Sequence, residues 1–243
     1  MAWRVGTSGW QYRDWCGPFY PPSLPQRDWL AHYATRFDTV EVNATFYRLP
    51  AAEVVAHWAR VTPEGFVVAA KMSRFLTHVR RLRDPTEPVT RFFERAAALG
   101  PRLGPVLVQL PPDLPAAPER LAELLACWPT GRRLALEARH PSWFDDEVFD
   151  LLRAHDAALC LADRRGRPVG PVVRTATWAY VRFHEGRGSP WPSYGDAALR
   201  SWIRRITERW PAGADVFVYF NNDPGGAAVR DASRFADLAR RHA

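Results

Sequence analysis

Lysine is all but absent from this sequence. Of its 33 basic residues only Lys71 is a lysine, and asparagine occurs only at positions 43, 221 and 222. A chain drifting so far toward alanine and arginine spends these side chains rarely, although turn chemistry is the ordinary reason for an asparagine. Cysteine is scarce as well. Cys16, Cys127 and Cys160 are odd in number, widely spaced and form no CxxC pair, which argues against a disulfide framework or a zinc knuckle and leaves free thiols. No uncharged run approaches the ~18 residues needed to span a bilayer. The opening Met1-Ala2-Trp3-Arg4-Val5-Gly6 enters an apparent strand at once and shows no apolar h-region ahead of a small-residue cleavage site, so the expectation is a soluble, cytoplasmic protein with no membrane partner and a monomer by default. No fixed repeat and no low-complexity linker divides the chain.

What is present is enough apolar material for a sizeable core, with 47% hydrophobic and 24% charged residues. The length of 243 residues is close to the roughly 250 of an eight-fold β/α barrel, so residues 1–243 are read as one domain. A net charge of +7 favours anionic partners, because positive potential concentrates phosphates and carboxylates near the surface. Composition alone does not decide whether nucleic acid is among them.

Short apolar runs alternate with amphipathic stretches from end to end, the signature of repeated βα units and a parallel sheet. The runs are Trp3–Thr7, Thr39–Asn43, Phe66–Lys71, Val106–Leu110, Leu134–Glu137, Ala158–Ala162, Ala179–Phe183 and Val216–Phe220. Helical periodicity is predicted over Pro25–Ala34, Ala51–Arg60, Pro88–Leu99, Pro118–Trp128, Asp145–His155, Asp196–Trp210 and Ala227–Arg241. The connection Asp163–Thr177 is rich in Gly, Pro and Arg, which predicts an irregular or shortened sixth helix. The fold class expected is α/β, a single (β/α)8 TIM-type barrel. An open doubly wound sheet is the alternative, disfavoured by the lack of a Gly-rich phosphate fingerprint.

Every run ends in polar residues that a packed interior would not choose for stability. Ser8, Glu41, Asn43, Lys71, Gln109, Glu137, Arg139, His140, Asp163, Arg182, His184, Asn221, Asn222 and Asp223 all fall at such ends. Residues two apart share a face of a strand, which pairs Glu41 with Asn43, Glu137 with Arg139, Arg182 with His184 and Asn221 with Asp223. Taken singly, each has a bland explanation as an ion pair or a helix cap. Taken together they suggest one polar pocket, because barrel enzymes gather their chemistry at the C-terminal ends of the strands. Glu41, Glu137 and Asp163 are candidate acids, bases or metal ligands, and His184 and His140 candidate proton shuttles or ligands. Lys71 is a candidate phosphate holder or, if desolvated, a base or Schiff-base amine. A divalent metal is possible, but no spacing fixes two ligands on one element. The segments 71–83 and 164–167 are cationic, and aromatic residues including Trp10, Trp15, Trp143 and Trp191 crowd the neighbouring loops. Rings beside arginines suit stacking on bases or sugars, although such rings also simply pack loops.

The motifs Gly6-Thr7-Ser8-Gly9-Trp10, Thr39-Val40-Glu41-Val42-Asn43-Ala44-Thr45-Phe46-Tyr47-Arg48, Lys71 through His78 and Gln109-Leu110-Pro111-Pro112 resemble those of the YecE-like family, also called domain of unknown function 72. So do Glu137-Ala138-Arg139-His140-Pro141-Ser142-Trp143, Asp163, Tyr180-Val181-Arg182-Phe183-His184 and Phe220-Asn221-Asn222-Asp223, which extends the likeness over essentially the whole chain. The resemblance implies a TIM barrel related in architecture to xylose-isomerase and endonuclease IV type barrels, with a polar cluster of unassigned activity. Glu185 stands where that family commonly has glycine.

The leading functional expectation is a hydrolase-type enzyme for a phosphorylated or nucleic-acid-derived anion. Glu137 with Glu41 or Asp163 would supply acid/base or metal-assisted chemistry, His184 would carry a proton, and Lys71, Arg139 and Arg182 would hold the anion. Ser8, Trp10, Asn43, His78, Gln109, His140, Asn221 and Asn222 complete the set expected to touch substrate. The rival expectation is a nucleic-acid-binding protein that uses the same residues without turnover. A carbohydrate enzyme with paired carboxylates fits the aromatics but not the cationic loops.

Overall fold

Alternating strands and helices run the length of the chain in the computed structural model, which describes residues 1–242. In chain order the strands are β1 (Ala2–Thr7), β2 (Thr39–Val42), β3 (Val67–Lys71), β4 (Leu103–Gln109), β5 (Leu134–Glu137), β6 (Ala158–Leu159), β7 (Leu161–Arg164), β8 (Arg167–Pro168), β9 (Ala179–Glu185) and β10 (Asp215–Phe220). The α-helices are α1 (Trp29–Tyr33), α2 (Ala44–Tyr47), α3 (Ala52–Val61), α4 (Thr86–Ala96), α5 (Pro118–Ala126), α6 (Asp146–Ala154), α7 (Asp196–Thr207) and α8 (Ala227–Arg240). The strands form two five-stranded sheets, ordered β1-β10-β9-β7-β8 and β2-β3-β4-β5-β6. The fold is therefore mixed α/β, and the chain falls into two units. The first comprises Met1–Glu41, Leu161–Val172 and Trp178–Ala243; the second comprises Val42–Cys160 and Val173–Thr177.

In the first unit β1, β10, β9 and β7 are parallel neighbours, with Gly6 beside Tyr219 and Tyr219 beside Arg182. Alternation along a strand then separates two chemistries. Tyr180, Arg182 and Tyr219 share one side, and Phe183 and Phe220 share the other. Phe183 stacks on Phe220 at 4.5 Å, and Phe235 of α8 meets these two rings at 5.7 and 5.9 Å. Trp202 of α7 closes the cluster 5.8 Å from Phe183. Polar side chains of the opposite face are thus held by a sheet whose back is anchored in aromatic packing. β1 and β2 meet at a bridge between Ser8 and Glu41, where Gly9 N donates to the Glu41 carbonyl at 2.8 Å. A side chain at Gly6 would collide with the Thr39 carbonyl and the Tyr33 hydroxyl, so glycine lets the two strands approach.

In the second unit β3, β4, β5 and β6 are parallel in sequence order, with Lys71 beside Leu107 and Gln109 beside Glu137. Val68 and Ala70 of β3 pack with Trp58 of α3 and Phe92 of α4 along an apolar seam. Lys71, one residue on from Ala70, therefore takes the other side of the sheet. Pro118 opens α5 at the first helical position, where its missing N–H costs nothing. Asp145 caps α6 by accepting from Glu147 N at 3.1 Å.

Several boundaries differ from the periodic reading. The run Ala158–Ala162 splits at Cys160, whose N–H donates to the Leu136 carbonyl, so that β6 pairs with β5 and β7 with β9. Between β7 and β9 no α-helix occurs among the described residues; β8 turns back antiparallel on β7 instead. Arg165 and Gly166 take left-handed φ values of 56° and 72°, and Gly166 N donates to Asp163 Oδ1 at 2.9 Å to close that turn. Pro25–Ala34 contracts to the 3-10 turn Gln26–Asp28 followed by α1. Two short elements appear that have no period to read, α2 and a π turn at Phe75–Val79 whose Arg80 N donates to the Phe75 carbonyl at 2.8 Å. Among the described residues no helix is long and apolar enough to cross a membrane.

Truncating the ring at the centre of the first unit tests this packing. Phe183→Ala is expected to cost about 3–5 kcal/mol, read as a lowered urea midpoint with an unchanged slope.

Candidate functional site

Three consecutive strands of the second unit end in a hydrogen-bonded row. Lys71 Nζ donates to Gln109 Oε1 at 2.8 Å, and Gln109 Nε2 donates to Glu137 Oε2 at 2.8 Å. Only one orientation of the amide serves both neighbours, oxygen toward the ammonium and nitrogen toward the carboxylate. All three side chains are buried. Arg139, two residues beyond Glu137 and largely exposed, brings Nη2 to 3.6 Å from Glu137 Oε1. Lys71 Nζ also lies 4.0 Å from the centre of the Phe46 ring, a cation over an aromatic face.

The π turn beyond β3 delivers His78 to the same neighbourhood. Its ring sits 5.0 Å from that of Phe46, and Nδ1 is 2.9 Å from Thr77 Oγ1. Burial pushes the imidazole pKa down to about 4, helped by the positive charges of Lys71, Arg74 and Arg139 and opposed by Asp113. At neutral pH His78 is therefore uncharged, and cations outnumber anions around it. Asn43 directly follows β2, and its Oδ1 is buried with no hydrogen-bond partner. His140 lies at the edge, with Nδ1 2.8 Å from Ser142 Oγ and accepting from Ser142 N at 3.3 Å; it caps the turn Pro141–Trp143.

In the first unit the polar face is organised around Glu41, which is fully buried. Its Oε1 accepts from Ser8 Oγ at 2.6 Å and from Arg182 Nη2 at 2.8 Å, and its Oε2 accepts from Tyr180 OH at 2.6 Å. Arg182 is itself only 1% exposed, so this is an ion pair removed from water. Asp163 is likewise engaged, accepting from Trp202 Nε1 at 2.7 Å and from Gly166 N at 2.9 Å. Burial raises its pKa, against the opposing effect of Trp202 and Tyr194. His184 follows at the end of β9, half-buried and close enough to Asp163 to act on its charge.

Asp223 was assigned no role on sequence grounds, and the structure gives it the most unusual carboxyl of the unit. Burial pushes its pKa up to about 7; the charge of Asp14 adds to this, while Tyr12 and Arg182 oppose it. Asp223 Oδ1 is buried without a hydrogen-bond partner. The alternation that pairs Asn221 with Asp223 was the available signal, and Tyr180 could have been found likewise from its place two residues before Arg182. Asn221 is half-exposed, with its N–H on the Phe183 carbonyl at 2.8 Å. Asn222 is turned inward, its amide donating to the Pro192 carbonyl at 2.9 Å and to Asp231 Oδ2 at 2.8 Å. Trp10 is 5% exposed and offers no open face for stacking. Among the described residues no three His, Cys, Asp or Glu side chains gather in a metal-binding group.

The model of a family described as a protein of unknown function, DUF72, matches residues 4–243. This chain belongs to the DUF72 family. Among DUF72 relatives, the UPF0759 protein YunF of Bacillus subtilis is 27% identical, over 96% of this chain and 93% of that protein. The UPF0759 protein YecE of Escherichia coli K12 is 29% identical over 74% of each. A solved DUF72 structure from Thermotoga maritima superposes with a TM-score of 0.84 at 27% identity, over 99% of this chain and 100% of that one. The resemblance to YecE-like proteins drawn from the motifs is thereby established, and so is the α/β architecture of the family.

Removing one partner of a buried pair strands the other. Arg182→Met is expected to destabilise the DUF72 protein by about 3–5 kcal/mol, and the double variant Glu41→Gln/Arg182→Met to recover part of that loss. Urea melts of wild type, Glu41→Gln, Arg182→Met and the double variant give the coupling directly. Asp223 predicts a pH effect of known sign. A carboxyl whose folded pKa is raised stabilises the fold while protonated and loses that contribution as pH climbs from the ordinary carboxylate range to about 7. The Tm of wild type minus that of Asp223→Asn should therefore fall across that window and level off above it.

Proposed function

We propose that this DUF72 protein is a hydrolase-type enzyme for a phosphorylated or nucleic-acid-derived anion, with the anion held at the C-terminal ends of β3, β4 and β5. The observation that carries the reading is the surplus of positive charge around the uncharged His78, supplied by Lys71, Arg74 and Arg139. A phosphate placed there would meet two guanidinium groups and the ammonium of Lys71. Glu137, oriented by Gln109, is the acid/base candidate beside it. The open Oδ1 of Asn43 would take a donor from the substrate, since a buried acceptor left unmet costs about 1–3 kcal/mol.

Within the first unit, proton transfer falls to Asp223 and His184. Glu41 and Asp163, weighed as acids on sequence grounds, have their oxygens committed to neighbours, so they hold Arg182 and the β7 turn in place. Ser8, Arg182 and Asn221 remain candidates for substrate contact in that unit. A single cytoplasmic domain closed as one (β/α)8 barrel belongs to the same proposal and rests on the strand and helix alternation of the sequence. A bound divalent metal stays open within it.

One feature favours a second reading, nucleic-acid binding without turnover. Arg164, Arg165, Arg167 and Arg187 line a surface cavity of about 920 Å³ in which Glu185 is the acidic member. Such binding would weaken steeply with salt.

Inorganic phosphate tests the first reading without knowledge of the reaction. Bound phosphate is expected to raise the His78 pKa from about 4 toward its ordinary value, seen by NMR of the imidazole, and Lys71→Ala to abolish the shift. An unmoved His78 at saturating phosphate would remove the reading's support.

A further inference from the structure

A second binding feature lies elsewhere in the first unit, in the loop joining β9 to α7. Trp191 is 48% exposed. It is nonetheless firmly seated. The indole covers the backbone of Gly225, where any side chain would collide with its ring carbons. Gly225 is itself fixed at both ends, its N–H on Asp14 Oδ2 at 2.7 Å and its carbonyl accepting from Arg230 Nη1 at 2.7 Å. The loop carrying the ring is closed by Gly186 N on the Pro192 carbonyl at 2.8 Å and Gly188 N on the Ser193 carbonyl at 3.0 Å. Asn222 holds the Pro192 carbonyl as well, which gives that scarce side chain its purpose. Part of the indole is thus spent on glycine backbone while about half of the residue is left to solvent.

Trp191 lines a cavity of about 680 Å³ together with Arg36, Arg230 and Arg234. Its carboxylates are already engaged. Asp231 accepts from Tyr194 N and Asn222 Nδ2, both at 2.8 Å, and Asp237 pairs with Arg240. Arg234 pairs with Asp196 at 2.5 Å, whereas Arg36 is exposed. We infer that this cavity binds a nucleobase carrying a phosphate, with the base stacked on Trp191 and the phosphate drawn to Arg36 and Arg230. A ring held rigid before the ligand arrives loses little freedom on stacking, and stacking on an aromatic is tolerant of base identity. The inference is independent of the proposed reaction, because it concerns affinity alone.

Free nucleotide and single-stranded nucleic acid supply the same chemistry, and two probes separate them. Fluorescence anisotropy of a short labelled oligothymidylate is followed at low salt, with AMP as competitor. Wild type is expected to bind, Trp191→Ala to lose about tenfold in affinity, and Trp191→Phe, which keeps a flat ring, to retain most of it. Arg36→Ala should flatten the salt dependence. Competition by AMP assigns the site to mononucleotides, and binding that AMP leaves untouched assigns it to strands. Equal affinity of wild type and Trp191→Ala overturns the inference, as does failure of wild type to bind either probe. Matching circular dichroism melts of the variants show that any loss is local.

Discussion

A carboxylate and a guanidinium that have both left water constrain the polar face of the first unit. Desolvating Glu41 and Arg182 costs several kcal/mol per ion, and their attraction offsets that only with good geometry and further hydrogen bonds. The fold supplies two such bonds to Glu41, from Ser8 after β1 and from Tyr180 on β9, the strand that also carries Arg182. Each of these placements depends in turn on strand register and on the aromatic packing behind the sheet. An arrangement so interlocked tolerates little drift in any strand, which suits groups that must stay where they are.

The second unit follows a different logic. Lys71, Gln109 and Glu137 are joined in a single line, while Arg74 and Arg139 add positive charge around His78 that Asp113 opposes. One unit thus contains a buried ion pair braced by neighbouring hydroxyls, and the other a hydrogen-bonded row with arginines beside it. In the first unit Glu41 and Asp163 have their oxygens engaged, whereas the buried Oδ1 of Asp223 has no partner.

Much of this was legible in the sequence, for physical reasons that vary by element. Strand ends could be read because parallel strands are short apolar runs and their terminal polar residues break the pattern; Lys71, Gln109 and Glu137 were found this way. The family was legible from the same ends. The degree to which each carboxylate is satisfied was not, since Glu41 depends on Tyr180 and Arg182, far along the chain. The antiparallel turn of β8 and the division of the sixth run at Cys160 also escaped, because two-residue strands carry no periodicity. Asn222 illustrates a rare residue whose rarity pointed to importance while its task, holding a loop, emerged only from its contacts.

The line from Lys71 through Gln109 to Glu137 has a direction, and that direction has a mechanical consequence. An arriving anion that draws the ammonium toward itself takes away the charge that pins the oxygen end of the amide. The amide then keeps only its nitrogen's bond to Glu137, whose other oxygen faces Arg139 at 3.6 Å. The charge at one end of the line and the hold on the carboxylate at the other are linked through one uncharged spacer.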